Sequence, residues 1–254
     1  SSSNQDVRDW YYVSGNTVSI ASQTTAPKDV LFNTTGTKMY VLGTSIYQYS
    51  LSTANSVSTA SYDSISFSFA SQDSSPQSAV MDASNTGLYM LGGTNKTVYQ
   101  YTLSTSNVGT LAYASKSFSV NSQESSPTGL AFRDDLSTMY IVGTATKTVY
   151  QYGLTSPGNV ATAVYTASPP GALSVSAQES NPTGVAFSSD GTKCYVVGST
   201  SDCVHQYTLS SAWDVTSGSY TASYYLGQQE GSAQGLFYNT TARTAYSIGS
   251  DKNA

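Results

Sequence analysis

Five stretches of this chain are versions of one another, and that self-similarity constrains the fold more than any other feature. They are APKDVLFNTTGTKMYVLG (26–43), SPQSAVMDASNTGLYMLG (75–92), SPTGLAFRDDLSTMYIVG (126–143), NPTGVAFSSDGTKCYVVG (181–198) and SAQGLFYNTTARTAYSIG (232–249). Their shared tyrosines, Tyr40, Tyr89, Tyr140, Tyr195 and Tyr246, stand 49, 51, 55 and 51 residues apart. A period near fifty residues fits one four-stranded blade per repeat.

Each full repeat reads as four strands. Strand A is short and apolar (PTGLAF). A turn follows, clearest as SSDG at 188–191, where glycine supplies the backbone angles that other residues resist. Strand B is the MYIVG type. Strand C is IYQYSL, VYQYTL, VYQYGL or VHQYTL, and strand D is SISFSFASQ, SKSFSVNSQ or ALSVSAQ. These segments alternate or are rich in β-branched and aromatic residues, with Gly, Asn, Ser and Pro between them. No segment carries apolar residues at helical spacing. The expected fold is all-β: a five-bladed β-propeller with four antiparallel strands per blade, forming a single domain over residues 1–254.

The two ends suggest how the ring closes. The fifth repeat stops after strand B, at YSIGSDKNA. DVRDWYYV (6–13) fits the strand C slot and TVSIASQ (17–23) the strand D slot. Residues 1–23 are therefore expected to complete the blade formed by 232–254, with 6–13 paired to 243–249. Closure of this kind covers strand edges that would otherwise be open.

The repeat core PTGVAFSSDGTKCYVVG (182–198) resembles the YVTN-type propeller repeat, with its Pro-x-Gly strand, Asp-Gly turn and Tyr-Val strand. The longer unit SQESSPTGLAF…MYIVGTATKTVYQY (122–152) is similar to a repeat found in marine bacterial and phage proteins. That resemblance implies a virion structural or tail-fibre setting. It is specific for fold and poor for activity, because propellers host many unrelated functions.

Composition narrows the partners. Charged residues are only 10% of the chain, the net charge is −5, and Lys and Arg form no cluster. A nucleic-acid partner is not expected. No apolar run reaches the length of a membrane span, so membrane insertion is not expected either. Cys194 and Cys203 flank one β-turn but lie out of register by roughly 13 Å along the strand, too far for a disulfide. Both are expected to be free, with Cys194 the more buried. One histidine, His205, stands in a slot that holds Tyr47, Tyr99 and Tyr150 elsewhere, which favours a packing role. With no His/Cys cluster, neither a metal nor a cofactor is expected.

The candidate site lies in the D-to-A loops, SQTTAP, SQDSSP, SQESSP, AQESNP and GQQEGSA. They repeat an amide–acid pair: Gln72 and Asp73, Gln123 and Glu124, Gln178 and Glu179, Gln229 and Glu230. Gln23 and Thr24 stand at the same place in the first repeat. Such a ring could line a channel mouth with acceptors for a sugar or a cation. It could equally bond the loop backbone at each blade junction, and recurrence in every blade favours that second role. Gln48, Gln100, Gln151 and Gln206 of strand C, with Asp9 aligned to them, read as inter-blade packing. Hydrolysis of a glycoside needs a pair of carboxylates at the axis. The aligned inner positions are Asp29, Ser78, Gly129, Gly184 and Gly235, of which one is acidic. The expectation is therefore a non-catalytic structural or binding module on a virion or at an extracellular or cell surface. Its partners would be other virion or surface proteins, or glycans. A lectin-like propeller is the first alternative, and a lactonase- or glycosidase-type enzyme the second. Ligand contact is expected on the face of the D–A and B–C loops.

Overall fold

A computed structural model describes residues 5–165 and 171–250 of the chain. Among these residues there is no α-helix, only strands and short 3₁₀ turns. Four blades are complete. The first holds β1 (Asp29–Phe32), β2 (Lys38–Leu42), β3 (Ser45–Leu51) and β4 (Ala60–Ser68). The second holds β5 (Pro76–Met81), β6 (Gly87–Gly92), β7 (Thr97–Ser104) and β8 (Asn107–Ser119). The third has β9 (Pro127–Phe132), β10 (Thr138–Gly143) and β11 (Thr148–Leu154). On its outer side β12 (Ala163–Tyr165) and β13 (Ala172–Ser174), which flank residues outside the description, both pair with β11. The fourth has β14 (Pro182–Phe187), β15 (Lys193–Gly198), β16 (Cys203–Leu209) and β17 (Gly218–Tyr225). Every sheet runs in chain order with antiparallel neighbours.

The fifth repeat departs from the expectation. It forms a two-stranded sheet, β18 (Ala233–Asn239) with β19 (Thr244–Gly249), so the described residues make four complete blades rather than five. Residues 6–13 do not pair with β19. Instead Val7–Asp9 make a 3₁₀ turn, and residues 10–23 form no strand. The reason is a register that the aligned tyrosines do not reveal. Asp6–Val7 matches Asp214–Val215, which opens the outer strand of the fourth blade, and each aspartate caps its turn from the side chain. The N-terminal segment thus stands in the place of an outer strand, and among the described residues none stands in the place of strand C. Residues 1–4 and 251–254 of the expected closing blade lie outside the described residues.

The ring nevertheless closes through its inner strands, because β1 packs against both β5 and β18. At the junction Phe32 lies 4.3 Å from Tyr246 and 5.3 Å from Phe237, centroid to centroid. The Tyr246 hydroxyl donates to the Asn55 carbonyl at 2.8 Å. The same tyrosine bond joins every neighbouring pair: Tyr40 to Ser106, Tyr89 to Gly158, Tyr140 to Trp213 and Tyr195 to Gln5. This is why the repeat conserves its period through that tyrosine: the ring buries in the core, and the hydroxyl ties a loop of the next repeat. Core clusters likewise straddle neighbours, as where Leu31, Tyr40 and Leu42 meet Ala79, Leu88 and Met90. Burying a side chain of this size contributes about 1.5–3 kcal/mol.

The inner strands converge tightly. A Cβ on Gly129 would lie 2.9 Å from the Cα of Gly184, and one on Gly235 would lie 2.7 Å from the Cα of Asp29. Only glycine lets backbones approach this closely, so Gly129, Gly184 and Gly235, with Ser78 and Asp29, make a packed layer across the axis.

Candidate functional site

The amide–acid pairs of the D–A loops face inward, into the loops themselves. Asp73, Glu124 and Glu179 are buried. Glu124 accepts from the backbone N–H groups of Ser126, Ala145 and Thr146 at 2.8, 3.1 and 3.1 Å, and from the Thr146 hydroxyl at 2.6 Å. Asp73 accepts from the N–H groups of Ser75, Thr94 and Asn95. Glu179 accepts from Asn181, Thr200 and Ser201. Each acid therefore clamps its D–A loop to the neighbouring B–C loop. For Glu179, burial pushes the carboxyl up, but the Ser201 hydroxyl and these N–H groups together hold it below its ordinary range. Glu230 takes the same position and accepts from Ser232. The amides have their own partner: Gln23, Gln72, Gln123 and Gln178 accept from the hydroxyls of Tyr49, Tyr101, Tyr152 and Tyr207.

The strand C glutamines bridge blades. Gln48, Gln100, Gln151 and Gln206 accept from the N–H groups of Val108, Val160, Val215 and Val7, each on the next repeat. Asp9 does not join this series, since Val7 holds the turn. His205 is buried, and its Nε2 lies 2.8 Å from the Ser201 hydroxyl. Burial lowers its pKa, with the Glu179 charge working against that shift. Both cysteines are free, Cys194 buried and Cys203 less so. Among the described residues no group of His, Cys, Asp and Glu could hold a metal.

The feature that sequence reasoning undervalued is the axis. A cavity of about 380 Å³ enters from the face of the A–B turns, opposite the face expected to carry ligands. Strand A residues of all five repeats line it. Asp82, Arg133 and Asp134 stand towards its mouth and Asp29 at its inner end, against the packed layer. Burial raises the Asp134 carboxyl, and the adjacent Asp135 adds to this. Arg133 is paired with Asp135 at 3.2 Å and lies over the Trp213 ring at 5.8 Å. Asp29 accepts from the Ser78 hydroxyl at 2.6 Å, from Ala79 N–H at 3.2 Å and from its own neighbour Val30 N–H at 2.9 Å. Burial nevertheless dominates and pushes its carboxyl up to about 7. A carboxyl poised near neutrality can hold or release a proton where a bulk carboxylate cannot. The sequence signal of Asp29 is a single acid in an aligned column of Ser and Gly, and a count of carboxylates carries no information on burial.

No family model matches the chain, and no curated relative does. Solved structures of similar fold are numerous. One is a protein from Lactobacillus plantarum, with a TM-score of 0.53 and 11% identity over 78% of this chain and 55% of that one. A candidate 6-phosphogluconolactonase from Bacteroides uniformis gives 0.51 and 9%, over 77% of this chain and 52% of that one. Another, from Bacteroides fragilis, gives 0.50 and 12%, over 77% and 52%. The chain spans about half the length of these proteins, and at such identity the likeness shows the propeller fold alone. It does correct the expectation of a non-catalytic display module. Propellers of this shape include candidate lactonases, and the chain's axial acid sits buried at the end of an open cavity.

Proposed function

We propose that the chain is a lactonase-type hydrolase acting in its axial cavity, with Asp29 as the acid–base group and the lactone of a sugar acid as substrate. The observation that carries this reading is Asp29 itself, buried at the inner end of the cavity with its carboxyl near 7. As a carboxylate it takes a proton from water while the water oxygen adds to the lactone carbonyl. The tetrahedral intermediate then expels the ring oxygen, and the carboxylic acid returns the proton to that oxygen as the C–O bond breaks. One group serves both steps, so the lack of a second axial carboxylate is no obstacle. Lactone opening needs a proton shuttle, whereas glycoside hydrolysis needs a spaced pair. Ser78 and the two backbone N–H groups fix the carboxyl's orientation. The fold likeness to candidate 6-phosphogluconolactonases supports the substrate class, and the YVTN-like repeat supports placing the chain outside the cell or on a virion.

Proton release from 6-phosphogluconolactone and from glucono-δ-lactone, followed at pH 6.5 above the spontaneous rate, tests the reading. The native chain should accelerate at least one of them. Asp29→Asn should lose about 10²-fold or more, the contribution typical of a positioned acid–base group. A native chain that accelerates neither lactone contradicts the proposal.

A further inference from the structure

The mouth of the axial cavity is acidic. Asp82 and Asp134 line it, and Arg133 is the one cation among the described residues of its wall. That arginine is already engaged. Its Nε lies 3.2 Å from Asp135 Oδ2, and its guanidinium lies over the Trp213 ring at 5.8 Å. The two carboxylates of the lining meet no cation of their own at that range. Asp82 accepts from the Ser84 hydroxyl at 2.7 Å and from Thr86 N–H at 3.1 Å. Asp134 is exposed and accepts no hydrogen bond from the described residues. Three carboxylates therefore stand around one guanidinium that is held by a carboxylate and an indole.

Trp213 is the unusual member of its own series. The corner whose carbonyl accepts from the repeat tyrosine is Asn55, Ser106 and Gly158 in the first three blades, and Trp213 in the fourth. All four corners have a left-handed φ, at 64°, 59°, 74° and 65°. Glycine and asparagine adopt that conformation readily, whereas a bulky aromatic does so at a cost. Packing offsets the cost. The indole stacks on Phe187 at 5.6 Å and covers Gly191 so closely that a Cβ there would lie 2.3 Å from the ring. Strain of this kind persists where the surroundings over-determine it, and it gathers at functional sites. Here the strained residue is the one that keeps Arg133 against the cavity wall.

We infer that the axial site takes an uncharged sugar lactone and turns away its phosphorylated counterpart, with Asp82 and Asp134 setting the choice and Trp213 withholding Arg133. The inference rests on the lactonase reading and narrows its substrate. A phosphate ester brings a charge of roughly −1.5 to −2, and it would bring it to a mouth where carboxylates outnumber cations. Like charges repel, more strongly beside low-dielectric walls. Phosphate sites are built the other way, from forked arginines, lysines or open N–H groups. The mouth suits hydroxyls instead, because a carboxylate without donors of its own, as Asp134 is, accepts from them.

The probes are glucono-δ-lactam, an uncharged isostere of the lactone that resists hydrolysis, and the same lactam phosphorylated at O6. Each is titrated into the native chain by calorimetry, so that binding is read without turnover. The uncharged lactam should bind at least tenfold more tightly. Raising the salt from about 20 mM to about 500 mM should narrow that gap, because screening weakens repulsion at an exposed mouth. Asp134→Asn should narrow it several-fold through tighter binding of the phosphorylated form. Trp213→Asn, which installs the residue of the first repeat, should do the same by releasing Arg133. Phosphorylated lactam bound as tightly as the uncharged one overturns the inference and leaves the lactonase reading standing. A gap that neither salt nor Asp134→Asn changes also overturns it, since size alone would then decide. Binding of neither lactam at millimolar concentration overturns the inference together with the reading it rests on.

Discussion

Asp29 and Glu124 are both buried acids, and their surroundings give them opposite parts. Glu124 meets four donors within two loops, so its charge is matched and its place is structural. Replacing it with Gln turns one accepting oxygen into a donor facing N–H or O–H groups. The cost should be about 1–3 kcal/mol, read as a lower urea midpoint with an unchanged slope; an unchanged midpoint would remove the clamp from the account. Asp29 is raised instead, to about 7, by burial. Below about pH 4, the ordinary range of an aspartate, folded and unfolded chains both carry the proton. As pH rises towards 7 the unfolded chain loses it and the folded chain keeps it. The folded state therefore loses stability across that window, by roughly 4 kcal/mol at its upper end. Asp29→Asn should flatten this part of the stability profile, so that the variant gains on the native chain between pH 5 and pH 8. Urea unfolding at those two pH values measures it, and an equal native-to-variant difference at both would contradict the burial argument. Neither role could be read from residue type. The repeat marked Glu124 as shared by several blades, which pointed to structure. Asp29 looked isolated because a sequence gives the number of carboxylates at the axis and not their solvation.

At the scale of elements, the four strand types were legible because each has its own signature: Pro-x-Gly for strand A, Tyr-Val-x-Gly for strand B, Tyr-Gln-Tyr for strand C, and alternating Ser with aromatics for strand D. Turn positions followed too. The residues at the left-handed corner of four A–B turns are Gly36, Asn85, Leu136 and Gly191, with φ near +60°. Glycine and asparagine tolerate that conformation, and Leu136 adopts it at a cost. The N-terminal segment departs from its expected place because Val7 and Trp10 match the spacing of strand C as well as that of the strand D entry. The deciding residue is Asp6, whose side chain caps the 3₁₀ turn as Asp214 does. Hydrogen bonding from Val7 to Gln206 then fixes the segment as an outer element. It follows that Gln206→Ala should loosen the N-terminal segment while leaving the fourth blade folded. Limited proteolysis should cut the variant within residues 8–20 faster than the native chain, and equal rates would contradict the register.

The described residues form a ring closed at its centre, with two strands rather than four in the fifth sheet. Inner strands from all five repeats meet at the axis, where glycine packing leaves Asp29 beneath a cavity. At the periphery four sheets have their outer strands, and the fifth has two strands among the described residues. The N-terminal segment packs Ile20 against Met39, Val41 and Ile248, which spans the gap without pairing β19. Exposed strand edges invite pairing, and the outer side of β19 faces a cavity it shares with the N-terminal segment. In β6, β10 and β15, backbone groups are bonded to neighbours on both sides, whereas among the described residues β19 is bonded on one. Amide hydrogen exchange on the native chain therefore tests this architecture most directly. The amides of β19 that point away from β18 should exchange at least tenfold faster than their counterparts in β6, β10 and β15. Equal protection in all four strands would mean that β19 already has a second partner, and would contradict the two-stranded fifth sheet.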